Sequence, residues 1–304
     1  MNHHALPAQV SRSWDRRTFL SSISATALLV ASRGLARAAT VAVPTVGVQL
    51  YTLRGDLAKD LTGTLAGIRK IGITSVEGFP GVYARPAAEM RRIFDDHGLK
   101  CPSGHFGYDD LEQSLDYAQE LGLSYLVCSA MPNERRNYSG FVQAATKFNA
   151  VGAKAKARGL KFAFHNHNFE FQPLTPPGGG PTTTGLSILL QGTDPALVHW
   201  EEDCYWVAQS GNDPLAFLKQ YEKRVALLHL KDRMPTAQPN YVQGKAAQYF
   251  TEVGTGTISW PPILDVARTT GALMFIEQDT TTLPALESLA ISYRNLQKYL
   301  AAQI

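Results

Sequence analysis

The side chains of this 304-residue chain that can do chemistry collect at the ends of short apolar runs. One run closes on His165-Asn166-His167 with Glu170 just beyond, the next holds Glu202-Asp203 and Tyr205, and the next ends His229-Leu230-Lys231-Asp232. A fourth ends Glu277-Gln278-Asp279, and an earlier one ends Gly104-His105-Phe106. In an extended strand alternate side chains share a face, which pairs His165 with His167, Asp203 with Tyr205, His229 with Lys231 and Glu277 with Asp279. Imidazoles and carboxylates brought to one place from four neighbouring strands make a mixed nitrogen and oxygen donor set. That set suits one divalent ion: Mn, Co, Zn or Mg.

Such convergence needs a scaffold that brings strand ends together. Apolar runs at 46–53, 75–80, 100–106, 125–131, 161–167, 198–206, 225–232 and 272–279 read as eight strands. Segments of helical period lie between and after them, at 58–71, 86–97, 110–121, 138–158, 184–190, 213–221, 259–270 and 283–301. Asp213-Pro214 and Trp260-Pro261-Pro262 are helix starts, and Gly72, Gly98, Gly122 and Gly159 are helix stops. Eight βα units in roughly 260 residues predict a closed (β/α)8 TIM barrel, an α/β fold whose chemistry sits at the carboxyl ends of the strands. An open doubly wound sheet would offer a glycine-rich first turn, but strand one is followed by Tyr51-Thr52-Leu53-Arg54-Gly55-Asp56. Two long loops, 171–183 and 233–257, follow strand ends and are expected to wall the site.

The amino terminus reads as something else. Residues 1–38 hold five arginines against Asp15, a net +4, and leave 24 basic and 25 acidic residues in the remainder. Arg16-Arg17, a modestly apolar stretch interrupted by serines, and Ala36-Arg37-Ala38 form a twin-arginine-type signal peptide, too short and polar to span a bilayer. The expectation is a single barrel domain over 39–304, exported to the periplasm, with no stable membrane association. A near-neutral body also argues against a nucleic-acid partner, which clustered Lys and Arg would require. Cys101, Cys128 and Cys204 sit in apolar runs as buried thiols.

From Val46 to Leu300 the chain resembles the xylose-isomerase-like TIM-barrel superfamily, the sugar phosphate isomerase/epimerase group related to endonuclease IV. The resemblance lies in the run from Val48-Gln49-Leu50-Tyr51 to Arg54, in His165-Asn166-His167-Asn168-Phe169-Glu170-Phe171 and in Asp203-Cys204-Tyr205-Trp206-Val207. It continues in His229-Leu230-Lys231-Asp232, Gly254-Thr255-Gly256 and Ile276-Glu277-Gln278-Asp279. It implies one divalent metal held by Asp203, His229 and Glu277, with a fourth ligand from strand five. There the family's usual Glu is replaced by His165, so either His165 binds the ion or Glu170 reaches back; His165 is preferred. In the family's epimerases the two glutamates also move protons, which leaves Glu277 here as both ligand and proton carrier.

A divalent ion held against a ketose or keto-sugar stabilises the enediolate formed when a carbon-bound proton leaves. His167 is placed to serve as base, and Lys231 as oxyanion stabiliser or acid. His105 is expected to meet a substrate hydroxyl, while Gln49, Tyr51 and Trp206 line the sugar pocket. With no basic cluster or phosphate cradle in the sequence, and Gly254-Thr255-Gly256 read as a turn, the substrate is a small unphosphorylated sugar or keto-glycoside. The leading expectation is a metal-dependent sugar isomerase/epimerase. A lyase or hydratase on 3-keto-glycosides comes second, and a barrel that binds sugar without catalysis is the non-enzymatic alternative. Too few metal ligands for three ions disfavour an endonuclease, and no Gly-x-Ser-x-Gly elbow supports nucleophilic catalysis. Barrels of this family often pair as homodimers.

Overall fold

The computed structural model describes residues 45–302 together with Met1. Apart from Met1, the leader expected at 1–38 lies outside the described residues. The eight barrel strands are β1 (Val46–Gln49), β2 (Ser75–Gly78), β3 (Lys100–Phe106), β4 (Tyr125–Cys128), β5 (Lys161–His165), β6 (Val198–Asp203), β7 (Val225–Leu230) and β8 (Leu273–Ile276). Each pairs in parallel with its neighbours in chain order and β8 closes on β1, so the expected closed barrel is what forms.

The main helices are α1 (Leu61–Ile71), α2 (Ala87–Asp96), α3 (Leu115–Leu121), α4 (Tyr138–Ala157), α5 (Gly185–Gly192), α6 (Pro214–Gln220), α7 (Trp260–Thr270) and α8 (Ala285–Ala301). Their limits follow local chemistry. Asp60, in extended conformation, divides the helix expected over 58–71 and caps α1 by accepting from the Gly63 amide. Asn137 and Thr184 cap α4 and α5 in the same way. Gly72 ends α1 with φ 107°, a left-handed conformation that a Cβ would disfavour. None of the described helices is long and apolar enough to cross a membrane.

Apolar side chains fill two layers. Outside the strands, Leu65, Phe94, Phe148, Trp200 and Leu264 pack between barrel and helices. Inside, Val127, Ala163, Leu227 and Phe275 form a fully buried plug. Alternation then decides what lies above that plug: two residues on from each stand Ser129, His165, His229 and Glu277. The register β5 His165 to β6 Glu201, and β6 Asp203 to β7 His229, sets these groups side by side.

Several strands stop earlier than the sequence suggested. β1 ends at Gln49 and passes into a 3-10 turn over Leu50–Leu53, and β6 ends at Asp203, where a short helix, Cys204–Gln209, begins. Its cap is Asp203 itself, which accepts from the Trp206 amide at 3.0 Å. The two long loops each contain a two-stranded antiparallel ribbon, Pro173–Leu174 with Thr183–Thr184 and Asp232–Arg233 with Phe250–Thr251. The second folds around the buried Asp232, whose carboxylate accepts from the amides of Arg233, Gly254, Gly256 and Ile258 and from the Trp260 indole. That accounts for Gly254-Thr255-Gly256: the turn cradles this carboxylate, and a Cβ at Gly256 would run into it.

Candidate active site

At the carboxyl ends of the strands lies a cavity of about 470 Å³. Tyr51, Phe79, His105, His165, His167, Lys231, Glu277 and Asp279 are among the residues that line it. At its floor His165, Asp203, His229 and Glu277 each offer one ligand atom, all within 4.8 Å of one another and all buried. These are the four positions expected from sequence. Glu170 is outside this group: its carboxylate turns back to accept from the His167 amide at 2.9 Å.

The donor atoms suit a cation. His165 has an acceptor on each side, the Ser129 carbonyl 3.2 Å from Nδ1 and the Asp203 carboxylate 3.1 Å from Nε2, and a neutral ring has one hydrogen to give them. Burial lowers the pKa of His165, keeping the ring neutral; with its hydrogen on Nδ1, a cation between Nε2 and Asp203 Oδ2 would satisfy both atoms. His229 gives Nε2 to Glu77 at 2.6 Å and directs Nδ1 at Glu277 Oε2, 2.8 Å away, without a hydrogen bond. Burial opposes charge on His229, but Glu201, Glu277 and Glu77 outweigh it and raise its pKa well above the usual value. The pocket draws in positive charge, as a site for a divalent ion must.

Around the floor, Lys231 Nζ meets Glu277 at 2.6 Å, Asp279 at 2.9 Å and Asp203 at 3.1 Å. Burial works against its charge, yet the carboxylates of Asp203, Asp279 and Glu277 raise its pKa well above the ordinary lysine value. A lysine so held is a fixed ammonium, fit to stabilise an oxyanion and ill suited to releasing a proton. His167 stands past the end of β5, its ring stacked on Phe169 and 4.9 Å from His165. Burial pushes its pKa well below the usual imidazole value, so it meets the cavity as a neutral base.

Two residues expected in the pocket wall are elsewhere. Trp206 is fully buried in the helix that follows β6, packed against His167 and Lys231, and does not line the cavity. Gln49 points into the barrel under the cavity, where its amide donates to Glu77 at 2.9 Å and its oxygen accepts from the Tyr51 amide. Tyr205, read as sharing a strand face with Asp203, belongs to the same helix and donates to the Ala246 carbonyl. Tyr51 and His105 do line the cavity.

The sequence reading missed a second layer of charge. Glu77, His105, Glu201 and His229 form another cluster deeper in the barrel, sharing His229 with the first. His105 Nε2 is 2.6 Å from Glu201, and Glu77 also accepts from Ser103. Burial would raise the pKa of Glu77, but His105 and His229 beside it bring it down to about 2. It is therefore ionised, an acceptor that fixes the His229 ring. Strand parity carried the missing signal: Glu201 lies two residues before Asp203 and so shares its face.

Comparison with known proteins agrees with this fold. Residues 65–295 match the model of the xylose isomerase-like TIM barrel family, and the chain belongs to that family. An inosose dehydratase of Clostridium botulinum is 30% identical over 248 residues, covering 69% of this chain and 79% of the relative. One from Clostridium beijerinckii is 23% identical with the same coverage. Among solved structures, a sugar phosphate isomerase/epimerase from Parabacteroides distasonis superposes with a TM-score of 0.72 at 26% identity, covering 85% of this chain and 95% of that one.

Proposed function

We propose that this protein is a divalent-metal-dependent enzyme that removes a proton from carbon next to the carbonyl of an unphosphorylated sugar or keto-sugar, in the manner of a sugar isomerase or epimerase. The observation that carries the reading is the meeting of His165 Nε2, His229 Nδ1, Asp203 and Glu277 at one buried point in the cavity floor. An ion bound there would polarise the substrate carbonyl and its neighbouring hydroxyl and stabilise the enediolate. His167, neutral and cavity-facing, takes the carbon-bound proton. Lys231 holds its charge against the developing oxyanion, and the proton that His167 has taken returns from it to the enediolate; Glu277, held as an anion by Lys231 and His229, serves as ligand. Among the described residues Lys231 is the one lysine or arginine lining the cavity, and it is already matched by three carboxylates, which supports an uncharged rather than a phosphorylated substrate.

A second reading, elimination or hydration at a keto-sugar or 3-keto-glycoside, is favoured by His165 standing where a proton-carrying glutamate is expected. The inosose dehydratases among the relatives favour it too. One experiment tests both. Manganese-loaded protein is incubated with 3-keto-glucose in D2O and followed by NMR and by absorbance of a conjugated enone. Deuterium at the α-carbon with a new epimer or isomer supports the first reading, and enone formation the second; affinity without exchange would leave a sugar-binding barrel. The twin-arginine leader supports placing the activity in the periplasm, and a reporter fused behind residues 1–38 that stayed in the cytoplasm would contradict that.

A further inference from the structure

The geometry points to a second binding subsite, for an uncharged ring attached to the sugar, in the hollow immediately outside the catalytic cavity; this rests on the keto-sugar reading above. The hollow, about 610 Å³, shares Tyr51, Gln243 and Asp279 with the inner cavity, so these three residues stand between two adjoining chambers. A ligand seated with one ring over His165 and Glu277 can continue outward past these residues.

The outer walls have the character of a ring-binding surface. Tyr241 and Val242, from the loop after β7, are 37% and 51% exposed, and Tyr51 is 39% exposed. Three of the few large apolar side chains left exposed among the described residues thus gather around one hollow. The Tyr241 side chain has neither a ring contact nor a hydrogen bond among the described residues, so its face is available.

The cations here are already engaged. Arg54 lies over the Tyr51 ring and donates to the carbonyls of Tyr51 and Asp279. Arg136 lies 3.6 Å over the Phe169 ring and donates to the Met131 carbonyl and the Gln243 side chain. They brace aromatic walls, and the flat faces that remain suit a second pyranose or an aryl group more than a phosphate. The loop carrying Tyr241 is itself held, since the Asn240 carbonyl accepts from Asn168. The substrate class is accordingly a glycoside with a ring aglycone, the keto-sugar being the part seated in the inner cavity.

Calorimetry on manganese-loaded protein with methyl glucoside, phenyl glucoside, cellobiose and glucose 6-phosphate, the glucosides as both anomers, tests this. The phenyl glucoside or cellobiose should bind about tenfold more tightly than the methyl glucoside. Tyr241→Ala should abolish that margin and leave methyl glucoside affinity unchanged. A margin for phenyl glucoside alone identifies an aryl aglycone, and one for cellobiose a second sugar. The subsite is overturned if no ring compound outbinds the methyl glucoside, if Tyr241→Ala keeps the margin, or if the phosphate binds most tightly. Exchange of 3-keto-glucose in D2O, run in parallel, reports on the catalytic reading alone, so loss of the margin with exchange intact removes only the subsite.

Discussion

Glu77 Oε2 lies 2.6 Å from His229 Nε2, on the opposite side of the ring from the nitrogen that faces Glu277. When a metal takes the place of the ring's second proton, the buried carboxylate holds the one hydrogen that remains and Nδ1 is free to coordinate, the arrangement by which an outer carboxylate orients a histidine ligand. Glu77→Gln should keep the fold while weakening manganese or zinc affinity by about 10–100-fold. Titration calorimetry measures this, and unchanged affinity would remove Glu77 from the account.

His167 faces the cavity without being among the four ligand residues. His167→Ala should therefore bind metal as the wild type does and lose about 10²–10⁴-fold in the rate of α-proton exchange. Exchange at the wild-type rate would assign the base elsewhere.

The Asp232 carboxylate satisfies four backbone amides and one indole in a buried turn. Removing it strands those donors, so Asp232→Ala should cost about 3–5 kcal/mol in urea unfolding. A loss under 1 kcal/mol would show that the turn has other support.

Burial raises the Glu170 carboxyl from 4.5 to about 8. The folded protein then binds a proton that the unfolded chain has released, so this contribution to stability is full below about pH 4.5 and is lost as pH rises towards 8. Glu170→Gln keeps an acceptor for the His167 amide and removes the titration. The wild type should lose stability relative to the variant between pH 5 and pH 8, as read from urea midpoints; parallel profiles would contradict the assignment.

Legibility in the sequence followed position along the strand. His165, Asp203, His229 and Glu277 stand at strand ends, where a polar residue interrupts an apolar run and is visible. Glu77 lies inside a short strand whose neighbours disclose nothing about its face, and its partners Gln49, Ser103 and His229 come from three other strands. No local pattern encodes that meeting. Trp206 and Tyr205 were misplaced for a different reason: an apolar run continued past Asp203, and the competing signal, an aspartate able to cap a helix, outweighed it. The loop from 233 to 257 read as a site wall, but that Gln243 reaches the cavity follows from tertiary ties such as its contact with Arg136.

The central claim is that one cation sits between β5, β6, β7 and β8. Crystals soaked in manganese, with anomalous scattering recorded above the metal edge, test it directly. The expected result is a single peak bonded to His165 Nε2, Asp203, His229 Nδ1 and Glu277, lost in Asp203→Ala. An absence of signal there, or a peak confined to Glu77, His105 and Glu201 below, would contradict it.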